Sequence, residues 1–144
     1  MAFKQTSLSG TCPTLTYRFA IQQLRNTHLV ELLLISFHGE YRYGSAGKED
    51  AGLIRGIIKT GVAVYDPTSI IIDFRDMEYT WGDNFDLSFE DAESSRVVVV
   101  VGDKCRKAMS TLAFGIDTKQ DIVDNVLFFD DFDSALLKLD SIDR

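Results

Sequence analysis

The sequence predicts an α/β domain: a mixed or mostly parallel sheet with helices packed on it. Two observations carry that expectation. Apolar runs of strand length recur at residues 29–37, 70–74 and 97–101, and stretches with helical apolar spacing follow them at residues 48–60, 104–114 and 130–139. Strands that alternate with helices build a largely parallel sheet, because each helix supplies a crossover. A chain of 144 residues, 45% hydrophobic, has the length of one domain and enough apolar surface for a core.

Residues 1–27 are an N-terminal extension to a core at residues 28–140. Ser7, Ser9, Gly10, Thr11 and Pro13 are turn or loop material. Tyr17, Phe19 and Ile21 alternate as in a strand, although Ala20, Ile21 and Leu24 also share one side of a short helix. The extension either adds a strand at the sheet edge or mediates a homodimer.

The run at residues 29–37 is the first core strand, ended by His38, Gly39 and Glu40 and by a loop from Gly44 to Gly47. In residues 48–60 the apolar positions Ala51, Leu53, Ile54, Ile57 and Ile58 give a helix with one buried face, and Gly61 is its expected stop. Asp66-Pro67 marks a turn. Residues 70–74 have the unbroken apolar character of a central strand covered on both faces. The acidic stretch 76–95 is ambiguous. Phe85, Leu87 and Phe89 alternate as in a strand, whereas Phe85, Phe89 and Ala92 fit a helix.

Five consecutive valines make residues 97–101 the clearest strand. A helix over residues 104–114 follows, with Cys105, Ala108, Met109, Leu112 and Ala113 inward and Gly115 as its stop. Residues 126–129 form a short strand. Asp130 or Asp131 then caps a last helix whose inner face is Phe132, Ala135, Leu136 and Leu139. The expected core order is β-α-β-α-β-α-β-α.

Charge is distributed unevenly. Residues 1–72 carry a net +2 and residues 73–144 a net −9, for a total of −7. An acidic half repels phosphates, so no nucleic-acid partner is expected. It suits a basic protein partner, or serves solubility alone. No apolar run approaches the roughly 20 residues that span a bilayer, so no membrane insertion is expected. Cys12 and Cys105 form neither a disulfide framework nor a zinc pattern. A cytoplasmic location is the default, with a single bridge between the two left open.

Motifs that carry chemistry are weak. Gly44-Ser45-Ala46-Gly47-Lys48 lies where a phosphate loop would, but Arg42 replaces the first glycine and Glu49 the magnesium-binding hydroxyl. His28 and His38 are too far apart for a helical metal pair. Asp130, Asp131 and Asp133 resemble half a calcium loop without its glycine and distal glutamate, and helix capping explains them better. Cys105 has basic neighbours, yet its apolar helix face favours burial. Asp73 and Asp76 stand at a strand's carboxyl end, where open α/β sheets bind ligands. No cofactor, metal or catalytic residue is assigned, and no enzyme is expected. The only tryptophan, Trp81, lies among Tyr79, Thr80, Asp83, Asn84 and Phe85 after a core strand. An aromatic cluster there is either an interface anchor or a lid over the sheet edge.

Taken in order, residues 28–140 resemble a STAS domain, the fold of anti-sigma-factor antagonists and of the cytoplasmic domains of sulfate transporters. Four places carry the resemblance: residues 32–40 with their Gly39-Glu40 turn, residues 70–79, the strand and helix of residues 97–115, and residues 126–139. The family's Asp-Ser-Ser-Gly segment, where a serine is phosphorylated in the sporulation regulators, falls on Trp81, Gly82, Asp83 and Asn84, with no serine among them. Asp83 would there hold a fixed negative charge at a helix start.

The resemblance implies a non-enzymatic module that regulates or sequesters a bacterial partner protein through a loop-helix surface spanning residues 80–93. The expected contacts are Tyr79, Thr80, Trp81, Asp83, Asn84, Phe85, Asp86 and Glu90. Eight acids, Glu93 included, against Arg75 alone in residues 73–93 suit a basic partner and fast association. The alternative is an acidic immunity protein that covers the basic active site of a cognate toxin, for example a nuclease.

Overall fold

The structure, a computed structural model, describes residues 2–92 and 94–142. Five strands lie side by side in chain order. β1 (Leu15–Gln23) runs antiparallel to β2 (Val30–Tyr41), whereas β2, β3 (Ser69–Tyr79), β4 (Arg96–Val101) and β5 (Phe128–Phe129) are mutually parallel. β1 therefore belongs to the same sheet as the core. β3 is central, and residues 69–74 are buried on both faces.

Helix α1 (Leu8–Thr11) is a single turn; the others are α2 (Ala46–Tyr65), α3 (Arg106–Phe114) and α4 (Phe132–Ile142). On one face of the sheet, Leu33, Ile35, Phe37, Ile70, Ile72, Phe74, Val99 and Val101 pack under α2, α3 and the segment that carries Phe85, Phe89 and Ala92. On the other face, Ile71, Val98 and Val100 pack under Ala135 and Leu139 of α4. Asp131 is the α4 cap: its carboxylate accepts from the Ser134 backbone N–H at 2.8 Å and from the Ser134 hydroxyl at 2.7 Å. Cys12 and Cys105 are both buried and free, so no bridge joins them.

Four expectations are corrected. Gly39 and Glu40 do not turn the chain; both lie within β2, paired with Met77 and Glu78. Gly61 does not end α2, which runs on to Tyr65 and stops at Asp66, in a left-handed conformation (φ 44°), before Pro67. Gly61 instead sits at the closest approach of α2 to the sheet. A Cβ there would lie 2.9 Å from Phe19 and 3.0 Å from a Leu33 methyl. Among the described residues the second core helix is absent, replaced by one 3-10 turn at Glu90–Ala92. The Asp86 side chain binds the Ser88 N–H and hydroxyl at 2.9 and 2.7 Å, a local alternative to helical bonding. Phe89 then takes a left-handed conformation (φ 51°). On α3, Ala113 is exposed and Ser110 takes an inward place, its hydroxyl accepting from the Ile122 N–H at 2.8 Å.

Candidate functional site

The carboxyl edge of the parallel strands is built on tyrosines. Tyr41 ends β2 and Tyr79 ends β3, and the register sets them side by side. Their rings meet edge to face at 5.0 Å, and Phe85 closes on both at 5.2 and 5.1 Å. The Tyr79 hydroxyl donates to the Gly82 carbonyl, which pins the turn leaving β3. Burial, reinforced by the charge of Asp83, pushes the Tyr79 phenol up to about 12. Burial moves Tyr41 higher still, with Tyr79 and Asp50 adding to it. Both phenols stay neutral at physiological pH and act as an apolar floor.

Two residues beyond each tyrosine, Tyr43 and Trp81 stack on one another. Their ring centroids are 5.5 Å apart and their planes 20° from parallel. They remain 59% and 58% exposed. Apolar rings held this open, beside a turn that the Tyr79 hydroxyl pins, form a ready anchor for another surface.

The expected contact residues divide. Thr80, Trp81, Asp83, Asn84 and Glu90 are exposed, and Asp86 is half-buried. Tyr79 and Phe85 are buried, so they support the surface without reaching it. Glu93 lies outside the described residues. Residues 79–83 form one wall of a groove of about 660 Å³ whose other wall is α3 and its approach, with Lys104, Lys107, Leu112 and Ile116. Asp86 and Asp91 instead border α2, where Arg55 reaches Asp91 at 3.3 Å. The Ser88 hydroxyl and backbone hold the Asp86 carboxyl below its ordinary range. The surface is therefore not uniformly acidic, since two lysines face Trp81 and Asp83 across the groove.

Other sequence candidates are consumed by structure. Asp50, fully buried, binds Arg42 at two points where a phosphate loop would need open backbone. Asp73 accepts from Nε and Nη2 of Arg75, each at 2.9 Å, and Arg75 lies over the Phe132 ring. Asp76 is 3.5 Å from His38 Nδ1. Burial pushes the Cys105 thiol up to about 11, which suppresses its thiolate. Asp130 pairs with Arg106 at 3.1 Å. Among the described residues, no helix is long and apolar enough to cross a membrane.

Sequence reasoning missed Tyr43, Lys104, Lys107 and Ile116. Only the parallel register, which brings Tyr41 level with Tyr79, draws Tyr43 onto Trp81, and no local pattern reports it.

No protein-family model matches the chain, and no curated protein matches its sequence. Its structure is similar to the crystal structure of an anti-sigma factor antagonist from Mycobacterium paratuberculosis. The TM-score is 0.52 at 16% sequence identity, covering 85% of this chain and 92% of that one. The likeness extends over most of both chains, and the fold of this protein is the STAS-like α/β fold of an anti-sigma factor antagonist.

Proposed function

We propose that the chain is a non-enzymatic regulatory module that docks on a partner protein through the surface around Trp81. The observation that carries the reading is the exposed Tyr43–Trp81 stack at the carboxyl edge of the sheet. An aromatic pair already stacked on itself loses little conformational entropy when a partner covers it. Thr80, Asp83, Asn84, Asp86 and Glu90 supply the polar rim, and Tyr79 and Phe85 hold it in place from below. The solved antagonist of like fold supports a regulatory role for the module.

A basic partner fits the net charge of −7, which would speed encounter at low salt. Lys104 and Lys107 then fix orientation, because a uniformly basic surface cannot lie flat on that groove. The setting is the cytoplasm of a bacterium.

The test is an affinity pull-down from the source cell with tagged wild type and Trp81→Ala, followed by titration calorimetry with the purified partner. A stoichiometric protein held by wild type and lost from Trp81→Ala supports the proposal. Equal retention by both removes it. Retention that survives high salt would favour the immunity reading, a tight one-to-one cover of a toxin, over a transient regulator.

A further inference from the structure

β1 closes the sheet at one side, and among the described residues no strand pairs with its outer edge. The Thr14 carbonyl accepts from the Glu40 N–H at 2.9 Å, and the β1–β2 register runs unbroken from Leu15↔Gly39 to Gln22↔Leu32. Bonded and non-bonded pairs alternate along an antiparallel ladder. Thr16, Arg18, Ala20 and Gln22 therefore turn their backbone groups toward β2, whereas Leu15, Tyr17, Phe19 and Ile21 turn theirs outward. Among the described residues, no loop backbone bonds to these outward groups. Nine residues make a long edge, and it lacks the usual protections. It has no proline, Arg18 is its only charge, and its bulge comes only at the last step, Gln22/Gln23.

We infer that this edge pairs, antiparallel, with the same edge of a second copy of the chain. A twofold axis perpendicular to the sheet leaves every side chain on its own face, so it must pass through a residue and not between two. For any such axis the outward groups of the odd-numbered residues meet one another, so the extent of overlap selects the register. An axis through Phe19 gives the longest overlap. Phe19 then faces Phe19 of the second copy, Tyr17 faces Ile21, Arg18 faces Ala20 and Thr16 faces Gln22.

Side chains and charge fit this register. Tyr17 and Ile21 are 39% and 44% exposed, and the pairing covers them twice over as aromatic–β-branched pairs, a favourable cross-strand combination. Phe19 is already seated on Tyr65 at 5.7 Å, which holds the strand's shape. Although the chain carries −7, its first acidic residue is Glu31. Two copies can thus meet along β1 without opposing carboxylates, and neither Arg18 lies opposite the other. The edge is its own complement, which is why the occupant is a second copy and not an unrelated strand.

Sedimentation equilibrium across a concentration series, together with amide hydrogen exchange, tests this. The expected result is a concentration-dependent doubling of mass, with the Tyr17, Phe19 and Ile21 amides slowing as the dimer fills. Ile21→Pro removes an outward N–H and no β1–β2 bond, and a sheet edge tolerates it. It should give a monomer with an unchanged circular dichroism spectrum. A wild type that stays monomeric at the highest concentration overturns the proposal, and so does a dimer whose β1 amides exchange at the monomer rate. Should Ile21→Pro fail to fold, the exchange result for wild type decides alone. Protection of β1 only in complex with a different protein also overturns it, since the occupant would then not be a second copy.

Discussion

Arg42 grips the fully buried carboxylate of Asp50 through Nε at 3.0 Å and Nη2 at 2.8 Å, and its backbone N–H adds a third bond at 2.8 Å. Arg42 Nη2 also donates to the Thr11 carbonyl at 2.9 Å. One guanidinium thus joins the end of β2, the N-terminal part of α2 and the segment leading into β1. Burial raises the pKa of the neighbouring Cys12 thiol, and Asp50 adds to it. The pair occupies the ground that a phosphate loop would need.

Arg42→Met should therefore destabilise the fold by roughly 3–5 kcal/mol, the cost of leaving a buried charge without its partner. Asp50→Leu added to it should recover much of the loss, because the orphaned carboxylate is gone. Urea unfolding of both variants measures this. A single variant within about 1 kcal/mol of wild type would show that the pair is solvated in solution.

Trp81→Ala and Asp83→Lys should each sharply weaken partner binding while leaving the melting temperature nearly unchanged, since both side chains are exposed. Removing a central aromatic anchor costs about 2 kcal/mol or more, a loss of roughly 30-fold in affinity. Calorimetry with the purified partner reads the loss. Wild-type affinity in both variants would remove the Trp81 surface from the interface.

Two glycines of α2 should respond in opposite directions. Around Gly56 nothing lies within 4 Å of an added Cβ, so Gly56→Ala should stabilise by about 0.5–1 kcal/mol through helix propensity. Gly61→Ala gains the same propensity but drives its methyl against Phe19 and Leu33. Overpacking of that kind costs about 1–3 kcal/mol, so a net loss is expected. Thermal melts of the two variants side by side decide it, and equal stabilisation by both would mean that α2 stands further from the sheet.

Asp121 is held below the ordinary carboxylate range, first by its bonds to Arg106 and then by the Val123 N–H. A carboxyl with a depressed folded-state pKa contributes stability that is fully present above its unfolded value, near pH 4. The contribution fades as pH falls through the folded-state value. Arg106→Gln should lower the melting temperature at neutral pH, and the gap to wild type should close on acidification below about pH 4. A gap independent of pH would assign the effect to packing.

Much of the fold is legible in the sequence because the signal is local. Five valines in a row have one good use, a buried strand, and β4 is that strand. The apolar rhythm of residues 48–60 falls on the buried face of α2, and Asp131 caps α4 through its own side chain. Misread places are those where a residue type has two uses. Gly61 has the composition of a helix stop and the position of a close contact. Phe85 and Phe89 suit strand or helix and form neither, because Asp86 turns the chain between them.

By itself, then, the sequence determined the strands at residues 29–37, 70–74 and 97–101, the helices that follow the first and third of them, which strand is central, and that Trp81 follows it on an acidic stretch. Periodicity and capping act over a few residues, so they can be read in one dimension. Tertiary structure alone decided that Arg42 closes on Asp50, that Tyr43 stacks on Trp81, that Lys104 and Lys107 line the opposite wall of the groove, and that β1 keeps a free edge. These depend on register and on which face of the sheet each segment crosses, and packing settles such choices only when the whole chain has closed.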